Sequence, residues 1–249
     1  DWWSSAGTDA DNCEWIVSDL DDWESLGIHG PCDLFLSQYA EGRSGSDKFW
    51  TVYNGGDEIA SLDSFGFAMV NNAPDTPGVH DQYYAFPSGS SIRPGDSYVV
   101  CSSSASPSIL AQCNYSYGLI NHNGDDAICL TFGSETSHLI LDCIGDYNGD
   151  PGNGWDVCGV SEGTRDHTLN RKCVVSEGND GNWSASAGTD SSDCEWIVSS
   201  NEDWNNTVGI RECSTTTDAP NPTPTTTTAA ADTTTTDAQA HTTTEETTT

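Results

Sequence analysis

Ala127-Ile128-Cys129-Leu130-Thr131-Phe132 is a short apolar run of strand-forming residues. Gly133-Ser134-Glu135 follows it, and then His138-Leu139-Ile140-Leu141. Two such runs separated by a Gly-containing turn read as an antiparallel hairpin, because the turn lets the second run fold back along the first. Outward from this hairpin the same grammar repeats. Leu34-Phe35-Leu36 opens a strand, Lys48-Phe49-Trp50-Thr51-Val52-Tyr53 is another closed by Asn54-Gly55-Gly56, and Phe65-Gly66-Phe67-Ala68-Met69-Val70 is a third. A long polar loop carrying Pro74, Pro77 and Pro87 comes next, and the turn Ile92-Arg93-Pro94-Gly95-Asp96 then leads into Ser97-Tyr98-Val99-Val100. Ser106-Pro107-Ser108-Ile109-Leu110 predicts one helical turn, with Ser106 as cap and Pro107 at the first helical position. Short strands with turn signals between them predict an all-β antiparallel sandwich.

The 249 residues carry 39 acids against 7 Lys and Arg, a formal charge of −32. Such a surface repels duplex DNA and anionic membranes, so nucleic acid is not an expected partner, whereas cations are. No apolar run approaches the ~18 residues a membrane-spanning helix needs. Ten cysteines, with no CxxC pair and no Cys/His cluster at zinc spacing, predict disulfides and an oxidising, extracellular setting. The chain starts at Asp1 with no signal-peptide pattern, which reads as a mature or excised product.

One stretch occurs twice. Ser5-Ala6-Gly7-Thr8-Asp9, Cys13-Glu14-Trp15-Ile16-Val17, Asp22-Trp23 and Cys32 return as Ser186-Ala187-Gly188-Thr189-Asp190, Cys194-Glu195-Trp196-Ile197-Val198, Asp203-Trp204 and Cys213, offset by 181 residues at both cysteines. The body between the copies occurs once. Residues 1–32 are therefore either the end of a preceding unit or a segment that a neighbouring subunit can use. From Ser214 the composition changes to Thr with Pro220, Pro222, Pro224 and acids. Such a tail has nothing with which to bury a core, and it has the composition of an O-glycosylated stalk. The expected organisation is a duplicated terminal segment at 1–32, a disulfide-rich sandwich at 33–213 and an extended Thr-rich tail at 214–249.

The body resembles the lamin tail domain in its secreted, microbial-type form. The residues that carry the likeness are Asp33-Leu34-Phe35-Leu36-Ser37-Gln38-Tyr39-Ala40-Glu41-Gly42, Val52-Tyr53-Asn54, Ile92-Arg93-Pro94-Gly95-Asp96-Ser97-Tyr98-Val99-Val100 and Asn123-Gly124-Asp125-Asp126-Ala127. Further along they are Ile144-Gly145, Asp150-Pro151-Gly152, Gly154-Trp155, Asp166-His167-Thr168-Leu169-Asn170-Arg171-Lys172, Trp183 and Ser186-Ala187-Gly188-Thr189. The resemblance implies an immunoglobulin-like β-sandwich. It carries no catalytic residues. Gln38 departs from it, standing where these domains often carry Glu, and ten cysteines exceed the usual count.

No Gly-x-Ser-x-Gly elbow, Walker loop or His-Glu-x-x-His motif occurs, so a non-enzyme is expected. His167, beside Asp166, Arg171 and Lys172, reads as a cluster that fixes the fold. Asp146, Asn148 and Asp150 place oxygens at alternate positions, as calcium prefers, although Pro151 and Val157 depart from the EF-hand loop. Asp125-Asp126 reads as a turn cap or a metal pair. Nine tryptophans admit a carbohydrate platform, against packing in the core. Asn114, Asn182 and Asn205 head N-glycosylation sequons. In the tail the O-glycosylation candidates are Thr215, Thr216, Thr217, Thr223, Thr225, Thr226, Thr227, Thr228, Thr233, Thr234, Thr235, Thr236, Thr242, Thr243, Thr244, Thr247, Thr248 and Thr249. The simplest disulfide pairing closes each copy on itself, Cys13–Cys32 and Cys194–Cys213, and leaves Cys101–Cys113, Cys129–Cys143 and Cys158–Cys173 as neighbours. Spacing alone leaves other connectivities open.

Two functions fit. The first is a non-catalytic subunit of an extracellular, glycosylated filament or coat, joined head-to-tail to copies of itself through its terminal segments. The second is a binding module for polysaccharide or surface attachment, either in a tandem lamin-tail-like array or as an accessory domain of a larger secreted lamin-tail-containing hydrolase, in which residues 1–32 end the preceding domain.

Overall fold

The computed structural model describes residues 33–42, 45–118, 120–200, 204, 207–211 and 213. The chain divides into two units, Asp1–Cys213 and Ser214–Thr249, and the described residues all lie in the first. The Cys13–Cys32 pair, the Asn205 sequon and the tail threonines fall outside the described residues.

In chain order the elements are β1 (Leu34–Glu41), β2 (Lys48–Asn54), β3 (Ala60–Ser61), β4 (Phe65–Val70), β5 (Gln82–Ala85), β6 (Ser91–Ile92), β7 (Ser97–Ser102), the helical turn α1 (Pro107–Leu110), β8 (Tyr115–Tyr117), β9 (Ala127–Ser134), β10 (Ser137–Ile144), β11 (His167–Arg171), α2 (Trp183–Ala187) and β12 (Trp196–Ser200). The described residues are thus mostly β, with almost no helix. Six strands form one sheet in the order β12-β11-β1-β2-β7-β8, and four form another in the order β10-β9-β4-β5. β3 and β6 make a small separate ladder. All pairings are antiparallel except β7 with β8.

The two larger sheets bury one apolar core between them. Leu34, Leu36, Tyr39, Trp50 and Val52 come from one sheet, and Phe65, Phe67, Met69, Ile128, Leu130 and Ile144 from the other. Trp50 meets Phe67 edge-on, with ring centroids 5.2 Å apart. β1 is buried along its whole length. Side chains alternate faces along a strand, so Leu34 and Leu36 point inward and Phe35 outward. A bulge between Leu36 and Gln38 inserts one residue and shifts the alternation, so Tyr39 enters the core while Gln38 and Ala40 face the other way.

That second face is covered as well. Ala40, Phe49, Val99, Cys101 and Ile109 of β1, β2, β7 and α1 pack with Trp204 and Val208 from the end of the unit. Ser106 stands at the N-cap of α1, but its hydroxyl lies against Ser108 and makes no capping bond. The polar loop between Val70 and Ser91 contains the edge strand β5, which pairs with β4.

Four disulfides stitch the described residues. Cys101–Cys113 and Cys129–Cys143 join near neighbours, the latter directly across the β9–β10 hairpin. The expected Cys158–Cys173 and Cys194–Cys213 pairs do not form. Cys194 instead bonds Cys158, and Cys213 bonds Cys173. The reason is the path of the chain between Cys194 and Cys213. It lays β12 along β11 and then returns across the outward face of the six-stranded sheet, so the two cysteines end against different parts of the body. No helix among the described residues is long and apolar enough to cross a membrane.

Candidate functional site

Many specific polar contacts among the described residues lie where residues 182–213, here the closing segment, seat on the body formed by residues 33–181. The segment starts at Asn182, whose side chain accepts a bond from Ala185 N (3.3 Å) and caps α2. Gly188, at φ +59, ends the helix where a Cβ would come within 2.5 Å of the Asp193 carboxylate. The Asp193 carboxylate accepts from the Thr189 amide (2.8 Å), the Thr189 hydroxyl (2.6 Å) and the Asp190 amide (2.9 Å). The hydroxyl bond first, and then the two amide bonds, hold the Asp193 carboxyl below its ordinary range. The turn is thereby fixed before Cys194 is reached.

β12 then adds to the edge of β11, with Arg171 opposite Trp196 and His167 opposite Ser200. Arg171 is the node of the seam. Its side chain is fully buried, as is that of Asp142. It donates from Nη1 to both Asp142 oxygens (3.1 and 2.8 Å) and from Nη2 to Glu195 Oε2 (2.6 Å), and its guanidinium lies 4.6 Å from the Trp196 ring centroid. Asp142 also accepts from the backbone amides of Leu36 (2.7 Å) and Asn179 (3.0 Å). Burial raises the Asp142 carboxyl, while Arg171 and these amides pull it back down. One buried cation therefore ties together β1, β10, β11 and the closing segment.

Beyond β12 the segment crosses the outward face. Trp204 meets Phe49 edge-on at 6.1 Å. Gln38 donates from Nε2 to Thr207 O (2.8 Å) and to Asn170 Oδ1 (2.8 Å), and its Oε1 accepts from Gly209 N (2.7 Å). An amide can donate and accept in this way and a carboxylate cannot, which accounts for Gln rather than Glu at this position. Arg211 closes the crossing. It stacks over Phe35 (4.9 Å) and Tyr53 (4.7 Å) and donates to the carbonyls of Lys172 (3.0 Å) and Val175 (2.6 Å). Lys172 Nζ binds back to Ser191 O (2.8 Å) and Cys194 O (2.6 Å).

At the base of α2 the segment also forms one wall of a cleft of about 450 Å³, lined by Trp155, Trp183, Asp146, Asp156 and Ser184. The indole nitrogen of Trp155 is buried with no protein partner.

The other sequence candidates serve local structure. Asp146 accepts from Asn148 N (2.9 Å), Asn148 from Gly78 N (2.7 Å) and Asp150 from Gly152 N (2.8 Å), so the residues read as a calcium loop cap turns. Asp126 accepts from the amides of Asn72 and Asn123 (both 3.0 Å). Among the described residues no group of three or more His, Cys, Asp or Glu side chains could hold a metal ion. Of the cluster around His167, Arg171 and Lys172 belong to the seam, while His167 Nδ1 pairs with Arg165 O. Asn114 is exposed and accepts from Val99 N (2.7 Å) through Oδ1, and Asn182 is exposed at its cap.

Sequence reasoning missed the Asp142–Arg171–Glu195 node. The one signal for it was the recurrence of Glu195 as Glu14 beside the repeated Cys and Trp. No family model matches the chain, and no curated protein matches it significantly.

Proposed function

We propose that residues 33–213 are an immunoglobulin-like, lamin-tail-like module of a secreted protein, and that the module is a non-catalytic subunit of an extracellular filament or coat. Neighbouring subunits join head-to-tail through the terminal segments, and the Thr-rich tail carries O-linked glycans. The observation that carries this reading is the closing segment. It is held to the body by strand pairing, a buried ion network and two disulfides, and its sequence is present a second time at residues 1–32. A segment that completes a sheet edge with main-chain bonds can complete the edge of a neighbour by the same bonds. The four disulfides support an oxidising, extracellular setting.

Electron microscopy of the secreted protein tests the reading. Linear assemblies are expected at high concentration with calcium, and a field of monomers alone under those conditions sinks it. One observation favours the second reading, an accessory module that attaches to polysaccharide: the cleft beside the half-buried Trp155, with Asp146 and Asp156 on its walls, suits a sugar ring. Affinity electrophoresis in polysaccharide-loaded gels, with W155A as the comparison, tests it. Equal retardation of the two proteins removes the cleft from consideration.

A further inference from the structure

The pairing of the cysteines changes what the duplicate can be. Cys194 and Cys213 do not bond each other; each bonds a cysteine of the body. Cys13 and Cys32 stand at the corresponding places of residues 1–32. In the closing segment the partners of those two places are the body cysteines Cys158 and Cys173.

The pattern of identity and change between the copies agrees. Trp183, Ser186, Ala187, Cys194, Trp196 and Trp204 are buried against the body. All six recur, as Trp2, Ser5, Ala6, Cys13, Trp15 and Trp23. Glu195, the partner of Arg171, recurs as Glu14. Val208-Gly209 recurs one place earlier as Leu26-Gly27. Ser184, Ala185, Ser191, Ser192 and Ser200 are exposed, and there the first copy has Trp3, Ser4, Ala10, Asp11 and Asp19. The buried contacts are kept and several residues that face water have changed, although the exposed Thr189, Asp190 and Ile197 also recur, as Thr8, Asp9 and Ile16, and Asp193 becomes Asn12. Retained buried contacts are the mark of a segment that still packs on a body of this kind. Arg211, which also touches the body, is not kept. His29 stands in its place, so the stacking on Phe35 and Tyr53 and the bonds to Lys172 O and Val175 O belong to the second copy alone.

We propose that residues 1–32 are a second closing segment, which seats on the body of another copy of this chain along β11 and the outward face of the six-stranded sheet. Its Cys13 bonds the partner copy's Cys158, and its Cys32 bonds the partner copy's Cys173. The inference rests on the head-to-tail reading and gives it a joint. The covalent step is thiol–disulfide exchange. The Cys32 thiolate attacks the Cys173 sulfur of the solvent-exposed Cys173–Cys213 bond, a Cys32–Cys173 bond forms, and Cys213 leaves as a thiolate that takes up a proton, with no net oxidation. Cys13 repeats the step at Cys158–Cys194. Arg211 favours the incumbent segment, but the joint consumes two chains, so mass action drives exchange toward it as concentration rises.

The test uses full-length C194S/C213S chains, in which the incumbent has lost its covalent hold. Ordinary and heavy-isotope batches are reduced, mixed and reoxidised in a glutathione/glutathione-disulfide buffer, where glutathione disulfide is the oxidant. Cross-linked peptides are then mapped by mass spectrometry. Cys13–Cys158 and Cys32–Cys173 links are expected, with light–heavy links as abundant as the two same-isotope classes together. A Cys13–Cys32 link in their place, or Cys13–Cys158 and Cys32–Cys173 links of same-isotope composition only, overturns the inference. The wild-type chain in the same buffer covers a failure of the variant to fold: a concentration-dependent light–heavy Cys32–Cys173 link is expected, and its absence overturns the inference. Filaments without these links leave the head-to-tail reading standing and remove only this joint. The links without filaments do the reverse.

Discussion

Replacing Arg171 by Met tests whether the seam is organised by one buried cation. The Arg171 and Asp142 side chains are fully buried, with paired contacts at 3.1 and 2.8 Å. Methionine preserves much of the packing volume but leaves Asp142 charged, with only the Leu36 and Asn179 amides to answer it. Breaking a buried pair from one side costs about 3–5 kcal/mol, because the remaining charge is uncompensated. The Glu195 side chain is a third exposed, so E195Q should cost only about 0–1 kcal/mol. The informative comparison is R171M/D142N. The Asn oxygen still accepts from a backbone amide and carries no charge, so the double variant should recover a good part of the R171M loss. Urea unfolding of the oxidised chain, followed by tryptophan fluorescence with the slope checked for constancy, measures all three. R171M within ~1 kcal/mol of wild type, or a double variant no more stable than R171M, would refute the argument that an unpaired Asp142 charge is what Arg171 prevents.

Three further outcomes are expected. C158S/C194S and C173S/C213S each open a loop, of 36 and 40 residues, and on the chain-entropy model each loses up to about 4 kcal/mol in urea unfolding; because the loops overlap, the bond that remains shortens the loop the other closes, so the quadruple variant should lose more than the sum of the two. Q38E sets a carboxylate against Thr207 O and removes a donor, at a cost of about 1–3 kcal/mol, with faster hydrogen exchange over 207–211 than over β4 and β9. His122 is fully buried, and burial first and Lys48 second depress it from 6.5 to about 3. A depressed folded value means that stability is complete above pH 6.5 and falls as the pH drops toward 3, by about 2 kcal/mol at pH 5. Burial raises Asp125, Asp126 and Asp142 and works in the opposite direction, so the measurement is the difference between wild type and H122Q, whose slope over this range should be flatter.

What the sequence shows and what it hides divide by sequence distance. The β9–β10 hairpin is legible because its signals are adjacent. Gly133, at φ +126, sits where a Cβ would come within 2.5 Å of Ser137 O, so the turn residue announces itself. The same locality makes Cys101–Cys113 and Cys129–Cys143 legible as neighbours. β5 is hidden, because its four residues lie among prolines and acquire strand form only through β4. β8 is hidden because it pairs in parallel with β7, and nothing local specifies that pairing. The seam is hidden most fully. Arg171, Asp142 and Glu195 lie on different elements, and their meeting is a consequence of where β12 docks. Neighbour pairing of cysteines failed at the same place, where a long-range strand contact decides which sulfurs meet.

The joint between subunits also sets how assembly should respond to salt. Cys32 is followed directly by Asp33, and β1 begins at Leu34. A segment bonded to the partner's Cys173 therefore passes into its own body within two residues, a reach of no more than ~7 Å. That is shorter than the ~10 Å Debye length at 0.1 M salt, so ordinary ionic strength does not hide one body's charge from the next. Each chain carries a formal charge of −32. Repulsion between abutting bodies should thus limit the joint at low salt, and added salt or divalent cations should strengthen it. Light scattering during reoxidation, read across a series of sodium chloride and calcium chloride concentrations, measures this. Growth of the disulfide-linked species with salt is expected, with calcium acting at lower concentration than sodium because its double charge neutralises a carboxylate surface more effectively. Assembly that weakens as salt rises would place an attractive ion pair, rather than like-charge repulsion, at the contact between bodies, and the close junction at Cys32–Asp33 would then not be what governs it.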